Sequence, residues 1–499
     1  MRGHFLILGA SLGIALGAAL SLNACTSGGG GTVGQGGECD YLADPEDPEA
    51  RVCADGLTCD PVAGADTFVC GPPVIVRGQI FDALNGLPVP DAYVTALDQA
   101  SAPSSDVAVT DATGHYELLV SAFRKEDGEL LGDAIYTLQA FAADYQPFPY
   151  GVRPALPLNT DDAIVESGVY VVDGREFDAE LNVIDNPTTS VALIPLPAAK
   201  QGGGTIFGNV GGRFPGGTLV VAEGGEQPAP YGVADLSGDY VIFNVQPGAV
   251  TVKGYRRGLE LETASVSIGA ETLTGVDLLD VAEGDQHLGT VAGSANIVNA
   301  PGGSVTSVVL VPSSVFNEVF ELGPVPFGLR VPDPGLAPDV SGAFRFEGVP
   351  EGTFKVLAAF ENDDLVRDPD TNISGTQIQE VTLGRGGAVE VDENFKVTEA
   401  LAVVSPGADA PEEVSGAPTL VWADDSSEDG YELVVYNALG ELVWDDLNVP
   451  GVSGSATVEV EYGGPALIPG MYYQFRAKSI KKDSAISRTE DLRGVFVAR

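Results

Sequence analysis

The chain has 499 residues, with 64 glycines, 34 prolines and a formal net charge of −46. So strong a negative charge repels phosphate backbones and anionic headgroups, which excludes direct binding of nucleic acid. Short alternating stretches of β-branched and aromatic residues, separated by many turn residues, predict an all-β chain of small β-sandwiches in tandem. The length suits about three to five such modules.

Residues 1–24 have the pattern of an export signal. Arg2 precedes an apolar stretch from Phe5 to Leu22, which has the form of a secretory signal rather than of a membrane span. The tetrapeptide Leu22-Asn23-Ala24-Cys25 resembles the bacterial lipobox, and this resemblance implies a cleaved lipoprotein signal peptide and lipidation of Cys25. The alternative is an ordinary cleaved signal followed by an incidental cysteine.

Residues 25–38 are predicted to form a tether. Thr26 to Gly37 is almost entirely Gly, Ser, Thr and Gln, a composition typical of flexible coil. The lipobox resemblance implies acyl chains on Cys25 that hold the protein at a bilayer. Thr26 stands where an aspartate would favour inner-membrane retention, so the outer membrane is favoured. We expect an exported, lipid-anchored envelope protein with the membrane as one partner.

Residues 39–73 contain four further cysteines: Cys39, Cys53, Cys59 and Cys70. An even number of cysteines in an exported protein predicts two disulfides, and the spacing leaves all three pairings open. So small a segment, with little to bury, needs such staples to hold a shape. Zinc is the rival hypothesis, but neither a Cys-x-x-Cys pair nor a nearby histidine supports it.

A hairpin pattern recurs three times downstream: Asp, any residue, Thr or Ser, Gly, any residue, aromatic. The Asp side chain accepts a hydrogen bond from a backbone N–H two residues on, the glycine supplies a positive φ, and the aromatic side chain faces the core. We expect nine structural positions: Asp111, Gly114 and Tyr116, then Asp235, Gly238 and Tyr240, then Asp339, Gly342 and Phe344.

The segments around these hairpins share one order: strand, turn with Pro, strand, Asp-Gly hairpin, strand, strand. This order resembles the carboxypeptidase regulatory-like family, a prealbumin-like β-sandwich. The resemblance implies the fold without peptidase activity, because that module carries no zinc ligands. We predict sandwiches at residues 74–185, 204–282 and 287–398, the third with an insertion from Ser313 to Pro334. Such modules are expected to fold semi-independently.

Residues 399–499 follow a different pattern. The stretch from Leu467 to Ser479 resembles the penultimate-strand motif of fibronectin type III domains. This resemblance implies that Tyr473 packs at a corner and hydrogen bonds back to the backbone. Trp422 suits a core position. Trp444 suits either the core, which we favour, or an exposed aromatic surface.

Catalytic motifs are absent from the sequence: there is no His-Glu-x-x-His element, Gly-x-Ser-x-Gly elbow or phosphate-binding loop. We therefore predict no catalytic residue, no cofactor and no enzyme activity. Asp368, Asp370 and Asn372 alternate like calcium ligands, but Ile373 and Gln379 stand where an EF-hand needs Gly and Glu. An exposed acidic loop is favoured there over a calcium site.

The leading functional hypothesis is a non-enzymatic envelope protein whose modules project, space or adhere, with envelope polysaccharide or protein as partner. Carbohydrate binding is the alternative, since exposed aromatic side chains can stack on sugars. The two tryptophans and the 7% aromatic content reveal no obvious stacking platform. A hydrolase with an unrecognised carboxylate pair is the least favoured hypothesis.

Overall fold

The computed structural model describes residues 32–40, 50–54, 56–65, 67–98, 103–172, 175–212, 215–297, 306–332, 340, 342–360, 368–370, 378–391, 395–397, 400–425, 427–489 and 492–499. Strands joined by turns make up most of this part of the chain, so the predicted all-β class is confirmed. Its helices are single 3₁₀ turns at Thr160–Asp162, Pro187–Thr189, Ala198–Lys200, Glu283–Asp285 and Ser313–Val315. None of these has the length and apolarity needed to cross a bilayer.

The N-terminal strands precede a first sandwich. The N-terminal segment contains β1 (Thr32–Val33), β2 (Val52–Cys53), β3 (Thr58–Pro61) and β4 (Phe68–Gly71). The first sandwich contains β5 (Val74–Asp82), β6 (Tyr93–Asp98), β7 (Ala108–Val109), β8 (His115–Val120), β9 (Ile135–Phe141), β10 (Leu158–Asn159), β11 (Ile164–Val172), β12 (Arg175–Ile184) and β13 (Val191–Leu193). Its sheets have the strand orders β10-β9-β6-β7 and β11-β12-β5-β13, with β8 also on β5.

The second sandwich is smaller. It contains β14 (Gly204–Asn209), β15 (Leu219–Glu223), β16 (Tyr231–Val233), β17 (Asp239–Val245), β18 (Gly248–Tyr255), β19 (Ala264–Ile268) and β20 (Thr272–Leu273). Its sheets have the orders β17-β14-β20 and β16-β15-β18-β19.

The third sandwich contains the long insertion. Its strands are β21 (Gly289–Ile297), β22 (Thr306–Pro312), β23 (Arg330–Val331), β24 (Ala343–Val349), β25 (Gly352–Phe360), β26 (Asp368–Asp370), β27 (Gln379–Leu383), β28 (Ala388–Glu390) and β29 (Phe395–Val397). The orders are β24-β21-β28, with β29 also on β21, and β23-β22-β25-β26, with β27 also on β25.

The fourth sandwich ends the chain. Its strands are β30 (Val403–Ser405), β31 (Glu412–Val414), β32 (Thr419–Ala423), β33 (Gly430–Asn437), β34 (Leu442–Pro450), β35 (Thr457–Glu461), β36 (Tyr472–Lys481), β37 (Ser484–Arg488) and β38 (Val495–Ala498). Its sheets have the orders β30-β32-β35 and β31-β38-β36-β33-β34, with β37 also on β36.

The four sandwiches share apolar cores rather than forming a string of separate bodies. Tyr255 of the second sandwich meets Phe354 of the third edge to face, with ring centroids 5.7 Å apart. Phe141 of the first meets Tyr231 of the second in the same way at 5.8 Å. All four side chains belong to one continuous hydrophobic cluster. The structure therefore differs from the expectation of semi-independent modules, because side chains that one sandwich alone would expose are buried by the next.

The insertion of the third sandwich contacts the other sandwiches. The Ser314 hydroxyl donates to the carboxylate of Glu223 in the second sandwich at 2.7 Å. Three residues on, the Asn317 side-chain amide donates to the hydroxyl of Tyr150 in the first at 3.0 Å. The carbonyl oxygen of the same amide accepts from the backbone N–H of Phe320 at 3.2 Å. We call this part of the insertion, residues 313–322, the clamp.

Phe320 is the centre of the clamp. Its side chain is fully buried between the first and fourth sandwiches. The Arg476 guanidinium lies 5.6 Å from the centroid of its ring, and the Tyr436 ring lies at 6.1 Å. A Cβ on Gly151 would stand 2.3 Å from the Phe320 ring. Glycine at 151 therefore permits the close approach of the ring to the first sandwich.

Buried arginines make further contacts between the insertion and the other sandwiches. Arg488 of the fourth sandwich donates to the carboxylate of Glu321 in the clamp at 2.5 Å. Arg256 of the second donates to the Gly216 carbonyl and lies 4.5 Å above the ring of Phe327 in the insertion. Burial lowers the pKa of Arg256 to about 10, so it stays charged at neutral pH and its charge is satisfied by a carbonyl and a ring face.

We predict that Phe320→Ala lowers the free energy of unfolding by about 3–5 kcal/mol, because it empties a site between the first and fourth sandwiches. Chemical denaturation followed by circular dichroism measures this change. The neighbouring Val319 is 41% exposed, so Val319→Ala serves as the control and should change stability by less than about 0.5 kcal/mol. Equal, small effects of the two substitutions would contradict the role assigned to Phe320.

Candidate functional site

The cysteines of the N-terminal segment are paired. Cys39 bonds to Cys59, and Cys53 bonds to Cys70, which is one of the three pairings that the sequence left open. The predicted disulfide-rich segment is thereby confirmed. Within the described residues, the group of side chains close enough to share a metal ion consists of Cys39, Cys53 and Cys70, whose sulfurs are all used in these disulfides. Cys25 lies outside the described residues, and its lipidation stays a prediction.

A buried ion pair fixes this segment to the first sandwich. One carboxylate oxygen of Asp60, on β3, accepts from two nitrogens of the Arg124 guanidinium at 3.0 and 2.7 Å. The other oxygen accepts from the Ser121 hydroxyl at 2.8 Å. The Arg124 and Asp60 side chains are only 0% and 2% exposed. Because either charge would be buried without its partner, the disulfide-bonded segment is an integral part of the first sandwich.

The first predicted hairpin has the expected contacts. One oxygen of Asp111 accepts from the N–H groups of Thr113 (2.8 Å) and His115 (3.0 Å), and Gly114 has a φ of 75°. Hydrogen bonds from the Thr113 side chain and from the backbone lower the pKa of Asp111. The buried Tyr116 donates its hydroxyl to the Thr189 carbonyl at 2.6 Å. All of these contacts have structural roles.

The second hairpin repeats this geometry. Asp235 accepts from the N–H groups of Ser237 and Asp239, each at 2.9 Å, and Gly238 has a φ of 93°. The buried Tyr240 donates its hydroxyl to a carbonyl, as Tyr116 does. The same residue pattern thus gives the same turn in two sandwiches.

The third hairpin is described only in part. Phe344 is buried and packs edge to face on Phe346, with ring centroids 6.0 Å apart. Asp339 lies outside the described residues. A Cβ on Gly342 would meet no described atom within 4 Å, whereas one on Gly114 would stand 2.4 Å from a backbone carbonyl oxygen. The crowding found at the first copy is therefore not found at the third.

In the fourth sandwich, Tyr473 occupies a corner. Its hydroxyl accepts from the backbone N–H of Ile468 at 2.8 Å. Trp422 is fully buried and meets Tyr431 edge to face at 5.5 Å. Trp444 is only half-buried; it packs against the core without entering it.

The calcium hypothesis concerns residues that the structure describes incompletely. Asp368 and Asp370 lie in β26, which pairs antiparallel with β25. Asn372 lies outside the described residues. The acidic loop predicted here is wrong for Asp368 and Asp370, because both lie in a strand that pairs with β25. Calcium binding at this segment stays a prediction.

A cleft of about 480 Å³ lies between the first and second sandwiches and is lined by Asp235, Asp239 and Asp277. Asp106 lies beside Asp235, and burial raises the pKa of Asp106. Burial and the neighbouring Asp106 raise the pKa of Asp235 to about 6.

A second concave site, which we call the groove, has a volume of about 350 Å³. Its walls come from the first, second and fourth sandwiches and from the segment joining the first two. The walls include aromatic rings and side-chain amides, beside four prolines and a few aliphatic residues. The rings and amides are Phe141, Tyr145, Gln146, Tyr150, Gln227, Tyr231, Phe243, Asn244 and Gln246, and the charged residues are Lys200, Glu226 and Glu441.

Two asparagines hold the walls of the groove in place. Asn244, with a φ of 62°, accepts from the N–H of Asp144 at 2.6 Å and donates to the Tyr145 carbonyl at 2.8 Å. It thereby fixes the second sandwich to the first. Asn437 accepts from the N–H of Glu441 at 3.0 Å and donates to its carboxylate at 2.7 Å. The β33–β34 turn therefore carries Glu441 in a set position.

The groove is not predictable from sequence patterns alone, because its walls come from segments far apart in the chain. A signal was nevertheless present. The pentapeptide Gln-Pro-x-Pro-Tyr occurs at residues 146–150 and again at 227–231, and a further Gln-Pro pair starts at Gln246. These are all the Gln-Pro pairs in the chain, and the glutamine of each lines the groove.

Comparison with known proteins finds no matching family model and no matching curated protein. Among solved structures, the Bacillus anthracis TIE protein is 11% identical, over 82% of this chain and 68% of its own, with a TM-score of 0.14. Two B repeat units of the collagen-binding protein of Staphylococcus aureus are 11% identical, over 85% of this chain and 99% of theirs, with a TM-score of 0.17. At TM-scores this low, the functional argument depends on the chain's own geometry.

We predict that Gly238→Val destabilises the protein by more than the about 1–3 kcal/mol expected from backbone strain alone. The positive φ strains a β-branched residue, and the added Cβ would stand 2.5 Å from the Val210 carbonyl oxygen. Gly275 has a φ of 71° and nothing within 4 Å of its Cβ position, so Gly275→Val isolates backbone strain. Thermal melting should rank the Gly238 variant clearly below this control; equal melting would contradict the crowding at Gly238.

We also predict a pH-dependent stability at the Asp106–Asp235 pair. Because the pKa of Asp235 is raised to about 6 in the folded protein, its favourable contribution is complete below its unfolded pKa of about 3.9 and is lost as the pH rises through about 6. Asp106→Asn removes the neighbouring like charge and should reduce this loss.

The measurement is the free energy of unfolding of the wild type and of the variant between pH 4 and pH 7. The difference should grow in favour of Asp106→Asn as the pH rises, whereas the exposed Asp445→Asn should show no such trend. A constant difference for Asp106→Asn would mean that the pair does not titrate in this range.

Proposed function

We propose that this chain is an exported, non-enzymatic protein of the cell envelope, held at the outer membrane by lipid on Cys25, with an adhesive or structural role. The observation that carries the proposal is the clamp. Phe320 is buried between the first and fourth sandwiches, while Ser314 contacts the second. Four sandwiches joined in this way present one fixed surface to a partner.

The disulfides and the tether support the proposed location. Two disulfides within one small segment suit an oxidising compartment outside the cytoplasm. This segment is fixed to the first sandwich by Asp60 and Arg124, and the Gly-rich stretch from Thr26 precedes it. The predicted tether at 25–38 is too long, because Thr32–Val33 form β1 and pair with β2 and Gly36 and Gly37 hydrogen bond to Cys70. The proposed tether is therefore the stretch before Thr32, whose composition is typical of flexible coil.

A hydrolase is the weaker proposal. Asp235 is a carboxyl group with strongly perturbed surroundings, because burial and the neighbouring Asp106 raise its pKa to about 6. One oxygen of Asp235 is also occupied by two backbone N–H groups of its turn. The turn geometry therefore accounts for this carboxylate without a catalytic role.

We predict that Cys25→Ala moves the protein from the detergent phase to the aqueous phase in phase partitioning, because the anchor lost is the acyl-modified cysteine. Ser27→Ala, two residues away in the tether, should partition as the wild type does. The surface-facing fraction can be measured in parallel by protease digestion of intact cells. A Cys25→Ala variant that still enters the detergent phase would refute the anchor.

A further inference from the structure

We infer that the groove binds a neutral saccharide of one or two sugar units. This inference rests on the proposed adhesive role and specifies the class of ligand for it. The volume of about 350 Å³ lies within the range of small-ligand sites, about 300–1,000 Å³. The walls combine ring faces with side-chain amides.

Gln146 is the residue that points most directly to a ligand. Its side chain is 8% exposed, lines the groove and hydrogen bonds to no other described residue. The amide atoms themselves stay open to the solvent of the groove, so a ligand hydroxyl can replace water as their hydrogen-bond partner. Its backbone N–H is engaged by the Ile194 carbonyl at 2.9 Å, so the residue is held in place while its amide is left to the groove.

The repeated Gln-Pro-x-Pro-Tyr segments supply matching groups from two sandwiches. Gln146 and Tyr150 come from the first sandwich, and Gln227 and Tyr231 from the second. An amide both donates and accepts hydrogen bonds, as a sugar hydroxyl does. Tyrosine rings offer flat apolar faces with a polar edge. The pairing of amides with rings suits a ligand that is dense in hydroxyls and has an apolar face.

The charges of the groove favour a neutral ligand. Lys200 lies 3.6 Å from Glu226, and Glu441 accepts from the Asn437 amide at 2.7 Å, so the charged groups on the walls already have partners. The net charge of −46 disfavours anions. An extended proline-rich peptide is less well matched, because prolines lack the N–H donors that the glutamine carbonyl oxygens would accept.

Saturation-transfer NMR with the purified mature protein tests this inference. The probes are maltose, cellobiose, lactose and N,N′-diacetylchitobiose, with glucuronate and a decaproline peptide as the anionic and peptide comparisons. We expect transfer to at least one disaccharide and none to glucuronate. Gln146→Leu should weaken that binding about tenfold or more, since it removes the amide while keeping a side chain of similar size.

Matched variants separate binding from folding. Tyr150→Ala should abolish transfer, whereas Tyr150→Phe, which keeps the ring, should retain most of it. Gln79→Leu, on β5 and away from the groove, should bind as the wild type does. A variant whose melting temperature equals that of the wild type is folded. If Tyr150→Ala does not fold, the Gln146→Leu variant tests the inference instead.

Three results would overturn the inference: no transfer to any of the four disaccharides, undiminished transfer in Gln146→Leu, or transfer to decaproline in preference to all sugars. Since the experiment uses purified protein, failure of surface localisation would refute the proposed function without affecting this test. Absence of sugar binding in a surface-exposed protein would refute the groove alone.

Discussion

The arrangement of this molecule depends on the burial of one aromatic ring. Phe320 lies between the first and fourth sandwiches, although it belongs to the third. Its ring contacts Gly151 on one side and the Arg476 guanidinium on the other, while Arg476 also donates to the Phe320 carbonyl at 3.3 Å. Because its ring has a guanidinium at its face and its backbone carbonyl accepts a hydrogen bond, Phe320 fixes the position and orientation of the fourth sandwich relative to the clamp.

The sequence predicts what is local and misses what is distant. The hairpins at Gly114 and Gly238 follow from residues within a few positions of each other, since the Asp bonds to N–H groups two and four residues on. The number of cysteines predicts two disulfides, but the pairing of Cys39 with Cys59 depends on how the segment folds in three dimensions, which the spacing leaves open. The role of Phe320 in the clamp cannot be predicted from the sequence, because a single phenylalanine forms no periodic pattern.

The use of arginine also escapes sequence patterning. The chain has 71 acidic and 25 basic residues, yet several of its arginines lie in the interior at junctions: Arg124, Arg256, Arg330, Arg476 and Arg488. Guanidinium groups combine a charge with a planar face and several donors, so one residue can satisfy a carboxylate, a carbonyl and a ring. With these cations inside, the exposed surface is left predominantly acidic and repels anionic partners.

The clamp and the groove are linked through the same few residues. Tyr150, which lines the groove, accepts the hydrogen bond from Asn317 of the clamp and precedes Gly151, which faces the Phe320 ring. On the opposite wall, a Cβ on Gly440 would stand 3.3 Å from that ring, and the next residue is Glu441. Phe320 therefore supports two walls of the groove from below without lining it. A ligand that contacts both walls would favour the clamped arrangement, and the clamp in turn holds the site in a preorganised state, so that less conformational freedom is lost on binding.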